Sequence, residues 1–377
     1  MVRVSRIKSW SLLSIAAIVL VHVTAHGQTN RPAPLPNPYL LVEGWAQVPV
    51  EMNGGQWGET IRVNIDPRGN VWVFHRCFNA LPFAHATCVG RETVPPILQF
   101  DKSGKLIKYF GEGMFAYPHG FTIDREGNLW ASDVLECSGE GTNGCKADGT
   151  VLGVSAKATA GPFKGQLRGH TVFKFSPDGK VLLTIGKPGI AGNGHDTFDR
   201  PSGVITAANG DVFVTDGHGK NDRVVKFTRD GKYIKEWGHH GSGNGEFNQP
   251  HDIAMDSQGR IFVADRGNNR VQIFDQEGTF IDAWKQFGRP SAVYVGPGDT
   301  LYVSDSQSNS RSNPGRSRGI YIGSAKTGEI AAFIPDPDLG SAEQKGISGG
   351  SGIAADAAGN IYVADIEPHK LRKYIKR

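Results

Sequence analysis

Apolar and polar positions alternate along this chain in short bursts, without the longer stripes of an amphipathic helix after residue 30. Six times a Gly and a polar residue precede an apolar–aromatic–apolar triplet. The copies are Gly69-Asn70-Val71-Trp72-Val73, Gly127-Asn128-Leu129-Trp130-Ala131 and Gly210-Asp211-Val212-Phe213-Val214, then Gly259-Arg260-Ile261-Phe262-Val263, Gly298-Asp299-Thr300-Leu301-Tyr302-Val303 and Gly359-Asn360-Ile361-Tyr362-Val363. The last five run on to Asp133, Asp216, Asp265, Asp305 and Asp365. A period-2 burst bounded by turn residues predicts a strand. The fourth unit shows the full pattern: strand A over 250–256, B over 260–265, C over 270–274 and D over 279–284. Its turns, Asp256-Ser257-Gln258-Gly259 and Asp275-Gln276-Glu277-Gly278, carry Asp and Gly where tight turns need them. Four strands per unit at a spacing of roughly 40–50 residues predict an all-β, six-bladed β-propeller.

The sixth unit runs out before its fourth strand. After strand C at Leu371-Arg372-Lys373-Tyr374 the sequence reaches Arg377. At the other end, Tyr39-Leu40-Leu41-Val42-Glu43-Gly44-Trp45 matches the strand D segment Tyr233-Ile234-Lys235-Glu236-Trp237-Gly238. An N-terminal strand is therefore expected to complete the last blade, removing the exposed edge of an open array. The expected organisation is a leader over 1–27, a linker over 28–38 and one propeller over 39–377.

The leader reading rests on Arg3, Arg6 and Lys8 ahead of an apolar run from Leu12 to Val23, then small residues at Ala25 and Gly27. The alternative is a retained anchor, but the run is shorter than the roughly 20 residues a spanning helix needs, and Ser14 and His22 interrupt it. A secreted or periplasmic monomer with no stable membrane span after cleavage is expected. Loss of those three basic residues takes Lys plus Arg from 41 to 38 against 37 Asp plus Glu, so net charge implies no particular partner. No basic stripe points to nucleic acid. The four cysteines favour disulfides in an exported chain, and local pairs Cys77–Cys88 and Cys137–Cys145 are the simplest of three connectivities. Metal ligation by them is the alternative, though neither spacing is CxxC.

In an antiparallel blade the start of strand A and the end of strand B share one face of the disc, where strand A lines the central channel. Insertions after Phe74, after Asp133 and over 306–318 fall on that face and read as walls of a pocket; tolerated loop insertion is the alternative. At the start of strand A, Pro118-His119-Gly120 and Pro250-His251-Asp252 put a histidine where other units have Ser202, Ser291 and Ser351. Imidazoles held near one axis suit zinc or a similar divalent ion, or they are hydrogen-bonded channel lining. At the end of strand B, Phe74-His75-Arg76 and Asp265-Arg266 offer arginines suited to a carboxylate; Arg266 could instead pair with a neighbouring Asp. The third unit has Asp216-Gly217-His218-Gly219 there.

These motifs resemble the peptidyl-α-hydroxyglycine α-amidating lyases, six-bladed NHL-repeat propellers, over residues 39–377. The resemblance implies a central metal, usually zinc, and cleavage of an α-hydroxyglycine-type amide to an amide and glyoxylate. It implies His119 and His251 as metal ligands and Arg76 and Arg266 as the arginines near a small or peptidic substrate bearing a carboxylate. Two positions depart. Gly350-Ser351-Gly352 stands where the family has Pro-His-Asp, removing a ligand and the acid that helps hold a structural calcium. His218 stands at the family's tyrosine and is expected to act as the base. Water, substrate or a loop histidine (His195, His239, His240, His75 or His369) would fill the missing ligand position. Two other readings stay open: a non-catalytic propeller binding a peptide, glycan or protein at the channel mouth, and a metal-assisted hydrolase or lactonase. Six-bladed lactonases use acidic and Asn calcium ligands, whereas this channel carries His and Ser.

Overall fold

The computed structural model describes residues 34–79, 88–134, 150–151, 154–155, 158, 164–338 and 350–377. The expected leader and the pair Cys137 and Cys145 lie outside the described residues. No described helix is long and apolar enough to cross a membrane. Six four-stranded antiparallel sheets are present, and each sheet is one blade. The innermost strands are Thr60–Ile65, Pro118–Ile123, Pro201–Thr206, Pro250–Met255, Pro290–Gly296 and Gly350–Ala355 in blades 1 to 6. Each packs beside its counterpart in the next blade, and blade 6 returns to blade 1. The ring closes as expected: Tyr39–Val42 pairs antiparallel with Lys370–Lys376 as the outer strand of blade 6.

The recurring triplet explains why neighbouring blades adhere. Successive side chains of a strand face opposite sides of the sheet. In blade 3, Val212 and Val214 pack toward blade 2, beside Trp130 and Val172, while Phe213 packs toward blade 4, beside Ile261 and Val263. Likewise Leu129 and Ala131 face blade 1 and Trp130 faces blade 3. In blade 4, Ile261 and Val263 face backward and Phe262 faces forward. The aromatic of each triplet thus keys into the aliphatic pair of the following blade, and burying each such side chain contributes about 1.5–3 kcal/mol. The Gly of the phrase closes the A–B turn with a left-handed backbone, φ 84° at Gly127 and 82° at Gly259, which a side chain would strain.

The Asp that ends the phrase fixes the loop entering the same blade. Asp133 accepts the backbone N–H groups of Ala116 (3.0 and 3.1 Å to its two oxygens) and Tyr117 (2.6 Å). Asp216 accepts that of Asp199 at 2.9 Å, Asp265 that of Asn248 at 2.8 Å and Asp305 that of Arg289 at 2.9 Å. Strand A of blades 2 to 5 therefore begins at a defined point on the mouth. Blade 1 lacks this Asp; His75 ends its second strand, with Nε2 2.9 Å from the Pro95 carbonyl.

Candidate metal centre at the channel mouth

Three imidazoles meet on the axis. His119 and His251 come from the starts of strand A in blades 2 and 4, and His218 from the B–C connection of blade 3. Their ring centroids lie 4.4 Å (His119–His218), 4.8 Å (His119–His251) and 4.9 Å (His218–His251) apart. Each can present a ring nitrogen, and the three nitrogens fall within 4.8 Å of one another. A close backbone approach brings His218 inward: a Cβ at Gly217 would lie 2.2 Å from the Pro250 carbonyl oxygen, and one at Gly219 2.1 Å from Asp199 Cγ. Glycine on both sides lets this connection lie against Pro250 of blade 4 on one side and Asp199 in the loop entering blade 3 on the other.

The hydrogen bonds leave the right atoms available. His119 Nδ1 lies 2.7 Å from the Ser202 carbonyl and His251 Nδ1 2.6 Å from the Ser291 carbonyl. Each Nδ1 must donate to its carbonyl, so each Nε2 carries a lone pair. His218 Nε2 is buried with no hydrogen-bond partner. An unpartnered buried imidazole nitrogen is costly unless something occupies the space before it. All three histidines titrate well below the usual imidazole range, first because they are buried. Nearby positive charge adds to this: Arg62 and Arg76 act on His119, and Arg266, Arg200, Arg76 and Arg62 on His218. The rings are neutral at physiological pH, the state in which imidazole binds a metal. The donor set suits zinc, whose tetrahedral shell with bonds of about 2.1 Å puts nitrogens roughly 3.4 Å apart.

The other residues expected at the mouth are distributed around this cluster. Arg76 is buried; its Nη1 donates to Glu59 Oε2 at 2.6 Å and its Nε to the Pro118 carbonyl at 3.3 Å. Arg266 begins a short 3-10 turn after Asp265, and its Nη2 donates to Gln249 Oε1 at 3.3 Å. None of the candidate loop histidines joins the cluster among the described residues. His195 stacks on Tyr233 at 3.8 Å, His239 faces Glu246 at 3.5 Å and His240 Nδ1 meets Asp222 at 2.6 Å. His75 is buried against Phe78, and His369 lies in the B–C connection of blade 6.

Blade 6 contributes no imidazole to the cluster: Ser351 stands at that position, and an arginine reaches across to its carbonyl. Arg62 is buried in strand A of blade 1. Its guanidinium donates to the carbonyls of Ser351, of Ile61 at 3.1 Å and of His251 at 3.2 Å, and lies 3.6 Å from Asp252 Oδ1. A Cβ at Gly352 would fall 2.6 Å from Arg62 Cα, so no acid fits there. Sequence reading passed over Arg62, Arg200 and Glu59. A signal for Arg62 was present: it aligns with Gly120, Gly203, Asp252, Ala292 and Gly352, a register of small residues and one acid.

The walls of the mouth are stapled. Cys77 and Cys88 form a disulfide with Cα atoms 5.2 Å apart, as expected from their local spacing. Arg168, after the blade 2 insertion, donates to Glu92 of the blade 1 insertion at 3.0 Å, both buried. Asn269 of blade 4 donates to the Ser312 carbonyl of the blade 5 insertion at 3.0 Å.

Comparison with known proteins points the same way. Residues 247–274 match the NHL repeat family model. The chain is 29% identical over 340 residues to peptidyl-glycine α-amidating monooxygenase A of Xenopus laevis, covering 84% of this chain and 32% of that protein. It is 26% identical to peptidyl-α-hydroxyglycine α-amidating lyase 1 of Drosophila melanogaster, over 92% of this chain and 61% of the relative. Human NHL repeat-containing protein 3 is 32% identical over 55% of this chain and 59% of its own length. The chain is a six-bladed propeller with an NHL-repeat match over 247–274, and it resembles the amidating lyases. It spans about a third of the length of the Xenopus relatives it matches, 32% and 34%.

Proposed function

We propose that this chain is a metal-dependent carbon–nitrogen lyase acting on a small or peptidic α-hydroxyglycine-type amide. The observation that carries the reading is the neutral triad His119, His218 and His251 beside several arginines, with a buried, unpartnered ring nitrogen on His218. The names of the Drosophila and Xenopus relatives support the substrate class. In the proposed reaction the C–N bond breaks, the hydroxyl loses its proton and the amide nitrogen gains one, giving an amide and glyoxylate. No oxidant or reductant is consumed.

Three imidazoles would hold the ion, zinc by the chemistry of the donor set. When bound, such an ion polarises a substrate hydroxyl and lowers its pKa. His218 was expected as the base; the ring separations support it instead as the third ligand in place of the Ser351 position. Arg76 and Arg266 would hold the substrate carboxylate in register with the cluster, fixing the orientation of the scissile bond. Arg62 would supply positive charge beneath the triad. The Cys77–Cys88 disulfide supports an oxidising compartment, and we infer that the protein is secreted or periplasmic.

The test is glyoxylate release from α-hydroxyhippurate by zinc-loaded wild type, beside His119→Ala and His251→Ala. Turnover in wild type and a loss of about 10³-fold or more in each variant are expected. Zinc-loaded wild type that binds metal but releases no glyoxylate would sink the substrate assignment.

A further inference from the structure

We propose that Arg76 is shared between Glu59 and an incoming carboxylate, so that Glu59 sets how tightly the channel mouth holds an anionic substrate. The proposal rests on the lyase reading for the substrate class alone; its geometry is independent of the reaction.

Glu59 immediately precedes strand A of blade 1 and is completely buried. Its backbone is pinned at both polar groups: its N–H donates to the Asn79 carbonyl at 2.9 Å, and its carbonyl accepts the Arg76 N–H at 2.9 Å. One carboxylate oxygen, Oε2, accepts Arg76 Nη1 at 2.6 Å; the other, Oε1, is buried with no hydrogen-bond partner. A buried carboxylate normally has both oxygens satisfied, so this one is under-partnered. The guanidinium is held from two further sides. Its Cζ lies over the Tyr117 ring, 3.9 Å from the centroid, and Nε donates to the Pro118 carbonyl at 3.3 Å. Pro118 precedes His119, and the Arg76 charge depresses the titration of His119 and His218. The pair therefore stands at the wall of the imidazole cluster.

Two charged groups act on Glu59: Arg76 from the end of its own blade's second strand, and Glu367 from the B–C connection of blade 6. Burial raises its carboxyl, Arg76 opposes this and Glu367 adds to it, with the group pushed up to about 7. The direction of the consequence follows. Above that range Glu59 is charged and neutralises Arg76. Below it Glu59 is protonated, and the guanidinium charge is available to a substrate carboxylate. Carboxylate affinity should thus rise as pH falls through neutrality. Glu59→Gln keeps an acceptor for Nη1 and removes the charge, which fixes the clamp in its strong-binding state.

Hippurate, which carries the carboxylate and amide without the reactive hydroxyl, is the probe, titrated calorimetrically into zinc-loaded protein from pH 6 to 8. In wild type the dissociation constant should rise several-fold across that range. In Glu59→Gln it should be lower than wild type at pH 8, by up to ~10-fold as expected for one unmasked charge-assisted bond, and nearly flat with pH. Arg76→Gln should bind hippurate more weakly and also without that pH dependence, which keeps the test decisive if Glu59→Gln fails to fold. The same pH dependence in either variant as in wild type, or no hippurate binding by wild type, would overturn the proposal. Glyoxylate release by the same wild-type preparation separates the two ideas: hippurate binding of the expected pH dependence without turnover supports the clamp and removes the lyase assignment.

Discussion

Between the blades, the six repeats behave alike: the aliphatic pair of each triplet faces backward, the aromatic faces forward, and all are buried. At the channel mouth the same repeats diverge. The second residue of strand A runs Ile61, His119, Ser202, His251, Ser291 and Ser351 around the ring, and the third runs Arg62, Gly120, Gly203, Asp252, Ala292 and Gly352. Close packing between sheets punishes any change of volume, so interblade positions must repeat. At the axis the strand starts are joined by side-chain bonds to the next blade's carbonyl, from His119 to Ser202, Ser202 to Pro250 and His251 to Ser291, and both His and Ser meet that requirement. Repetition marks the scaffold, and its breakdown marks the chemistry.

Phe213→Ala attacks the scaffold side of this contrast and should produce the largest effect. Phe213 is completely buried between blades 3 and 4, and its loss should cost about 3–5 kcal/mol in denaturant unfolding. The folded fraction should still bind the wild-type amount of metal. A change smaller than about 1 kcal/mol would mean that the interblade layers are not what holds the ring together.

Acidification probes the mouth. His119, His218 and His251 are held well below their ordinary range by burial; His75 is lowered to about 3 and His170 to about 4, again by burial. A depressed imidazole stabilises fully above its unfolded value near 6.5 and loses that contribution as pH falls toward its folded value. Glu59, Asp216 and Asp365 run the other way: burial raises each to about 7, so their contribution is greatest at low pH and fades as pH rises to 7. Burial raises Asp133, Asp252, Asp265 and Asp305 as well, so seven carboxylates oppose the five imidazoles as pH falls, and the triad's own share is read by comparing variants. Simultaneous Ala substitution of the triad should therefore make the metal-free protein lose less melting temperature than wild type as pH falls from 6.5 to 4.5. An acid slope unchanged in the triple variant would place its origin away from the channel.

The sequence made the scaffold legible down to its closing strand, because strand period and turn chemistry are local and were sampled six times. The mouth was legible only in part. His119 and His251 stood out because they share a repeat position, and Arg76 and Arg266 because they follow strand B. His218 was noticed, but its place beside the other two depends on Gly217 and Gly219 admitting the backbone next to Pro250 and Asp199, a contact between distant segments. Arg62 was hidden for a similar reason. Its role as a bridge to Ser351 and His251 exists only across the ring, although its register against five small or acidic residues was visible. Glu59 lies just outside the repeat phrase, where alignment of the copies carries no signal.

Metal content of His218→Ala beside wild type, each dialysed against excess zinc and then against metal-free buffer, tests the triad most directly. Wild type should retain close to one equivalent of zinc, and the variant, folded as judged by its unfolding transition, should lose at least ~10-fold in affinity. A variant that retains zinc as tightly as wild type would contradict the three-histidine centre.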